Sequence, residues 1–123
     1  MPTINTIQGE LHYDLIDATP PWVESPATIL FHHGVAINSG IWSSWIHELS
    51  DQYRILTFDV RGYGQSHIPD ESFEWSFEGL AQDVMAVADA AGVENFHFVG
   101  ESMGGAMGLY LGILHPERLL SIT

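Results

Sequence analysis

The sequence predicts an α/β fold, a mostly parallel sheet with helices on both faces. Three observations lead there. Strand-like apolar runs alternate with helix-period stripes through the last two-thirds of the chain, as crossover connections between parallel strands require. Two of the runs, at 28–32 and 53–58, are apolar with little alternation, as expected of strands covered on both faces. Glycine-bearing segments follow three of the strands, at His33-Gly34, at Gly62-Tyr63-Gly64 and at Gly100 to Gly105. They mark the carboxyl edge, where open α/β sheets bind ligands.

Taken in order, residues 4–16 alternate in polarity and predict two short strands joined at Gly9-Glu10. Thr19-Pro20-Pro21 and Ser25-Pro26 mark a loop before the strand at 28–32, and Gly34 to Gly40 form the next loop. Trp42, Trp45, Ile46 and Leu49 then fall at i, i+3, i+4 and i+7, one face of an amphipathic helix. Both tryptophans read as core residues, as do Met85, Met103 and Met107. The strand at 53–58 ends at Asp59, and residues 61–75, rich in Gly, Pro, Ser and acids, make a long connection. Ser76 is placed to cap a helix whose stripe is Leu80, Val84, Val87, Ala88 and Ala91, with Gly92 as its stop. A strand at 95–99 leads into a glycine–serine turn and a helix that runs to His115, where Pro116 ends it. Residues 119–123 read as the start of a further strand. With no repeat or internal boundary, residues 1–123 are expected to form one incomplete domain, truncated after the helix that follows the serine.

Composition excludes several chemistries. Three Lys+Arg against sixteen Asp+Glu give a net charge of −13, so neither nucleic acid nor an anionic membrane surface is an expected partner. The absence of cysteine removes thiol nucleophiles, disulfides and zinc–thiolate sites. The absence of lysine removes Schiff-base chemistry, a P-loop lysine and a serine–lysine dyad, so a serine nucleophile would have to rely on histidine. No metal site is expected: His47-Glu48 lacks a second histidine one turn on, and adjacent His32 and His33 diverge from a strand. No cofactor is implied. The start of the chain lacks a basic segment followed by an apolar run, and the longest apolar stretch, 106–114, is about half a membrane span. The cytoplasm is the expected location.

The segment Gly100-Glu101-Ser102-Met103-Gly104-Gly105 carries the chemistry. A serine between glycines at a strand-to-helix corner presents its hydroxyl on a sharp, strained turn, and Gly100 and Gly104 provide room for it. Acyl transfer also needs two N–H donors for the oxyanion. Met103, at the start of the helix, offers one; Val35, beyond the bend allowed by Gly34 in His33-Gly34-Val35, offers the other. The plainer reading is a tight turn in which Ser102 only caps the helix.

His33-Gly34, then Asp59-Val60-Arg61-Gly62-Tyr63-Gly64-Gln65-Ser66, then the Ser102 segment, in that order and spacing, resemble the α/β-hydrolase superfamily over nearly the whole chain. Within it the chain looks similar to small esterases and to 3-oxoadipate enol-lactonase and its relatives. The resemblance implies Ser102 as nucleophile, Val35 and Met103 as the oxyanion hole, and a site-shaping role for His33, Gly34, Gly100 and Gly104. It implies that Asp59, Arg61 and Gly62 shape a neighbouring loop, and that the substrate is a small ester or lactone. Serine at the corner departs from haloalkane dehalogenases and soluble epoxide hydrolases, which place aspartate there. In the superfamily the acid and histidine follow the serine. Both, with the cap over the site, are therefore expected beyond Thr123. His12, His47, His67, His97 and His115 sit in peripheral or distant elements by this reading, and Glu101 is expected to point away from the nucleophile and to pack or hydrogen-bond locally. The competing expectation is a non-catalytic ligand-binding or interaction module of the same fold.

Overall fold

The computed structural model describes residues 2–123. Its six-stranded sheet has the order β1-β2-β4-β3-β5-β6. The strands are β1 (Thr3–Thr6), β2 (Gly9–Ile16), β3 (Thr28–His32), β4 (Arg54–Phe58), β5 (Phe96–Gly100) and β6 (Leu119–Ile122). β2 pairs antiparallel with both β1 and β4, whereas β4-β3-β5-β6 run parallel. The expected fold class is the one observed. The hairpin differs in detail, because its turn lies at Ile7-Gln8, ahead of the predicted Gly9-Glu10. Gly9 instead opens β2 with φ +117°, and a Cβ there would come within 2.4 Å of the His67 ring.

Three helices connect the parallel strands: α1 (Ser43–Leu49), α2 (Phe77–Ala90) and α3 (Met103–Leu114). A 3₁₀ turn at Ser39–Trp42 precedes α1, so Trp42 sits in that turn instead of opening the helix. The Ser76 hydroxyl accepts the Gly79 N–H at 3.0 Å and starts α2 as the sequence predicts. Beyond its carboxyl end, Gly92 takes φ +70°.

Alternation along the buried strands separates two cores. Leu30, Leu56, Phe96 and Phe98 face α2 and α3, packing with Val84, Val87, Ala88, Met107 and Leu111. Ile29, Phe31 and Ile55 face the other way, onto Trp42, Ile46 and Leu49. Full burial of a side chain such as Phe98 contributes about 2–3 kcal/mol. Of the two tryptophans expected in the core, only Trp42 is buried; Trp45 stays 49 % exposed. The outer side of α3 (Leu109, Ile113) and strand β6 (Leu120, Ile122) leave apolar side chains in solvent. Among the described residues no helix is long and apolar enough to cross a membrane.

Candidate active site

β3 and β5 are adjacent and parallel, with His32 paired to Gly100. Their register brings the two segments that leave them, His33-Gly34-Val35 and Glu101-Ser102-Met103, side by side at the carboxyl edge. The Glu101 N–H donates to the His32 carbonyl at 3.1 Å and closes the seam. Ser102 then takes φ 56° and ψ −111°, a conformation that stores about 1–3 kcal/mol in a residue with a side chain. It is tolerated because the surroundings leave no alternative. A Cβ on Gly100 would lie 2.2 Å from the Gly104 carbonyl oxygen, and one on Gly104 would lie 2.1 Å from that of His32. The Ser102 side chain is exposed and makes no capping hydrogen bond to α3, which removes the plainer reading of a helix cap.

Met103 is the first residue of α3, where the helix dipole favours negative charge. Val35 lies 60 % exposed on the facing turn, followed by Ala36 at φ 65°. Among the described residues no acceptor takes the N–H of Val35 or of Met103. The turn approaches Glu101 closely at position 34: a Cβ there would meet the movable Glu101 Oε2 at 2.1 Å and the Glu101 carbonyl oxygen at 3.0 Å. Glu101 thus packs locally, as expected, with its carboxylate against the Gly34 turn and open to solvent.

His33 fastens that turn to β4. Its Nδ1 lies 2.8 Å from the Gly34 carbonyl, and its Nε2 accepts the Val60 N–H at 2.9 Å. A carbonyl only accepts and an N–H only donates, so one neutral tautomer, protonated on Nδ1, satisfies both contacts. Burial pushes its pKa down, against the opposing pull of the Gly34 carbonyl, Asp59 and Glu101. His32 donates from Nδ1 to the His33 carbonyl at 2.8 Å, and burial lowers its pKa to about 4. Both imidazoles are structural props of the turn.

Asp59 ties the neighbouring loops together. Its two carboxylate oxygens accept the N–H groups of Ser39 and Gln65, each at 2.9 Å. Burial alone would raise its pKa; the hydrogen bonds from Gln65 and Ser39 outweigh it and hold the carboxyl below its ordinary value. The Asp59 carbonyl accepts the Ser66 hydroxyl, which in turn accepts the His12 N–H at 2.9 Å. His12 is not peripheral. It is buried on β2 with Nδ1 3.3 Å from Asp59 Oδ2, because β2 lies directly beside β4. Arg61 is buried too, forking onto Asp83 of α2 through Nε at 2.9 Å and Nη2 at 2.7 Å, and also reaching Thr6 and Gln8. Neither the Asp83 partner nor the burial of His12 has a local signal in the sequence.

The remaining histidines lie elsewhere; His97, for example, binds Ser121 Oγ at 2.7 Å on the face that carries α1. Among the described residues no histidine or carboxylate hydrogen-bonds the Ser102 hydroxyl, and no three metal-ligating side chains cluster. An apolar groove of about 340 Å³, lined by Val60, Tyr63, Ile68, Trp75, Leu80 and Met103, opens beside the turn. A larger groove of about 430 Å³, between the β1–β2 hairpin and α2, is lined by the Arg61 partners Thr6, Gln8 and Asp83 and by neither Ser102, Val35 nor Met103.

The family described as alpha/beta hydrolase fold matches residues 27–123. The chain belongs to the α/β-hydrolase family. This α/β-hydrolase chain is 37 % identical over 100 residues to 3-oxoadipate enol-lactonase 1 of Acinetobacter baylyi, covering 81 % of the chain and 36 % of that protein. It is 34 % identical over 118 residues to the putative carbamate hydrolase RutD of Agrobacterium fabrum, covering 92 % of the chain and 43 % of that protein. The crystal structure of the enol-lactonase from Burkholderia xenovorans superimposes with a TM-score of 0.86 at 26 % identity, covering 98 % of the chain and 45 % of that structure. The chain therefore spans less than half the length of the hydrolases it matches.

Proposed function

We propose that these residues form the amino-terminal part of a cytoplasmic serine hydrolase that cleaves a small carboxylic ester or lactone. The observation that carries the proposal is the exposed Ser102 on its positive-φ corner, beside a turn where the Val35 N–H, like that of Met103, has no acceptor among the described residues. In this mechanism Ser102 Oγ attacks the acyl carbon while a histidine takes its proton. The carbonyl oxygen becomes an oxyanion held by the two amides. The alcohol leaves with that proton, and water repeats the sequence to release the acid. A donor of the oxyanion-hole type is worth about 10²–10³ in kcat. The relatives' greater length supports placing the histidine and its orienting acid in chain that follows these 123 residues. By this reading the 123-residue segment alone has no turnover.

The test is fluorophosphonate labelling of the full-length protein together with its ester turnover. Labelling at Ser102, and loss of both signals in Ser102→Ala, is the expected result; turnover that survives the substitution overturns the assignment. A second reading, a binding module of the same fold, draws on the absence of a hydrogen-bonded base at Ser102 among the described residues. Ligand binding by a full-length protein that neither labels nor turns over would favour it.

A further inference from the structure

Beside the candidate nucleophile stands a charge that acyl transfer itself does not use. Glu101 precedes Ser102, and its carboxylate covers Gly34, the residue immediately before the Val35 amide. Glu101 is exposed, so that charge is not sequestered in the protein interior. From one-residue spacings along the chain, the carboxylate lies roughly 6–8 Å from where the acyl carbonyl would sit.

Among the described residues, the arginines that could offset it are paired or placed elsewhere. Arg61 is 1 % exposed and locked onto Asp83. Arg118 follows α3 at its far end and pairs with Asp89. Arg54 begins β4, whose other end supplies the site, and a five-residue strand separates the two by about 13 Å or more. His33 is neutral because its Nε2 accepts the Val60 N–H, and burial lowers the His32 pKa to about 4, so neither adds positive charge at neutral pH. Asp59, beneath the same turn, adds a second negative charge.

We infer that Glu101 is a specificity-determining residue. Its carboxylate directs the site towards neutral or cationic acyl groups and against acyl groups that carry a free carboxylate. This rests on Ser102 being the nucleophile and goes beyond it by naming the charge class of the substrate. At 6–8 Å, across a partly hydrated site, one unit charge changes the relative rate for a charged acyl group about five- to tenfold.

The experiment uses the full-length protein and three para-nitrophenyl esters of equal acyl length, ending in a carboxamide, a carboxylate or a trimethylammonium group. The wild-type protein is expected to show kcat/KM about five- to tenfold lower for the carboxylate than for the carboxamide, with the trimethylammonium ester at least equal to the carboxamide. Glu101→Gln should bring the carboxamide-to-carboxylate ratio close to one, and Glu101→Lys should invert it. A purely structural role for Glu101 would scale all three esters together. Equal rates for carboxylate and carboxamide in the wild-type protein, or a ratio unmoved by both substitutions, would overturn the inference while leaving the serine reading intact. A wild-type protein that hydrolyses none of the esters and does not label at Ser102 overturns both.

Discussion

Acid should unfasten the turn beside Ser102, and the size of the effect follows from His32. Its side chain is 1 % exposed, hydrogen-bonded through Nδ1 to the His33 carbonyl, and held by burial at a pKa of about 4 against an ordinary 6.5. In the unfolded chain the imidazole takes up its proton near 6.5. Between that pH and about 4 the unfolded state therefore binds more protons than the folded one, so stability falls as acid is added. The gap of about 2.5 units, at 1.36 kcal/mol each, is about 3 kcal/mol. The loss is absent above about pH 7 and nearly complete near pH 4. His33, also depressed by burial, acts in the same direction. Asp59 follows at lower pH, since its stabilising ionised form is lost only below the ordinary carboxylate value. The assay is urea unfolding followed by tryptophan fluorescence from pH 4 to 7, on the full-length protein and on His32→Asn, which keeps a donor for the His33 carbonyl but does not titrate. With m near 1–3 kcal/mol/M, the wild-type midpoint should drop by about 1–3 M more than that of the variant. Parallel curves for the two proteins would refute the reasoning.

Two further predictions concern stability. Ser102→Gly should raise the unfolding free energy by about 1 kcal/mol while abolishing labelling, because glycine adopts φ 56° without strain; an unchanged or lowered midpoint would contradict the strained corner. Asp83→Leu alone leaves Arg61 buried and unpaired and should lose about 3–5 kcal/mol, whereas Arg61→Met with Asp83→Leu should recover most of that loss in the same urea titration. A double variant no better than the single would show that the hydrogen bonds of Arg61 to Thr6 and Gln8 matter more than its charge pairing.

The parallel strands, the Ser76 cap and the Ser102 corner were legible in the sequence because each is a local matter. β3 holds the apolar run Ile29-Leu30-Phe31 between a proline loop and Gly34, and Ser76 stands directly before a helix-period stripe. What escaped depends on contacts distant in sequence. Asp83 looks like a solvent-facing acid on α2 until Arg61, 22 residues earlier, is seen to reach it. His12 looks peripheral because the sequence does not reveal that β2 runs antiparallel to β4 and lays it against Asp59. The hairpin turn moved for a related reason: Gly9 is required by a close approach to His67, not by the turn itself. Trp45 fits the helical stripe, yet the seven-residue α1 buries none of its residues fully, and only Trp42, in the preceding 3₁₀ turn, is covered.

The way Asp59 grips its neighbours bears on how such a site diversifies. It holds Gln65 through the main-chain amide, so the identity of that side chain is largely irrelevant to the anchor. Substitutions along 67–75 could then recolour the wall of the adjoining groove, where Ile68 and Trp75 stand, while the corner with Ser102 keeps its shape. A library randomised there and selected on new esters would explore recognition without dismantling the frame that any acyl chemistry needs.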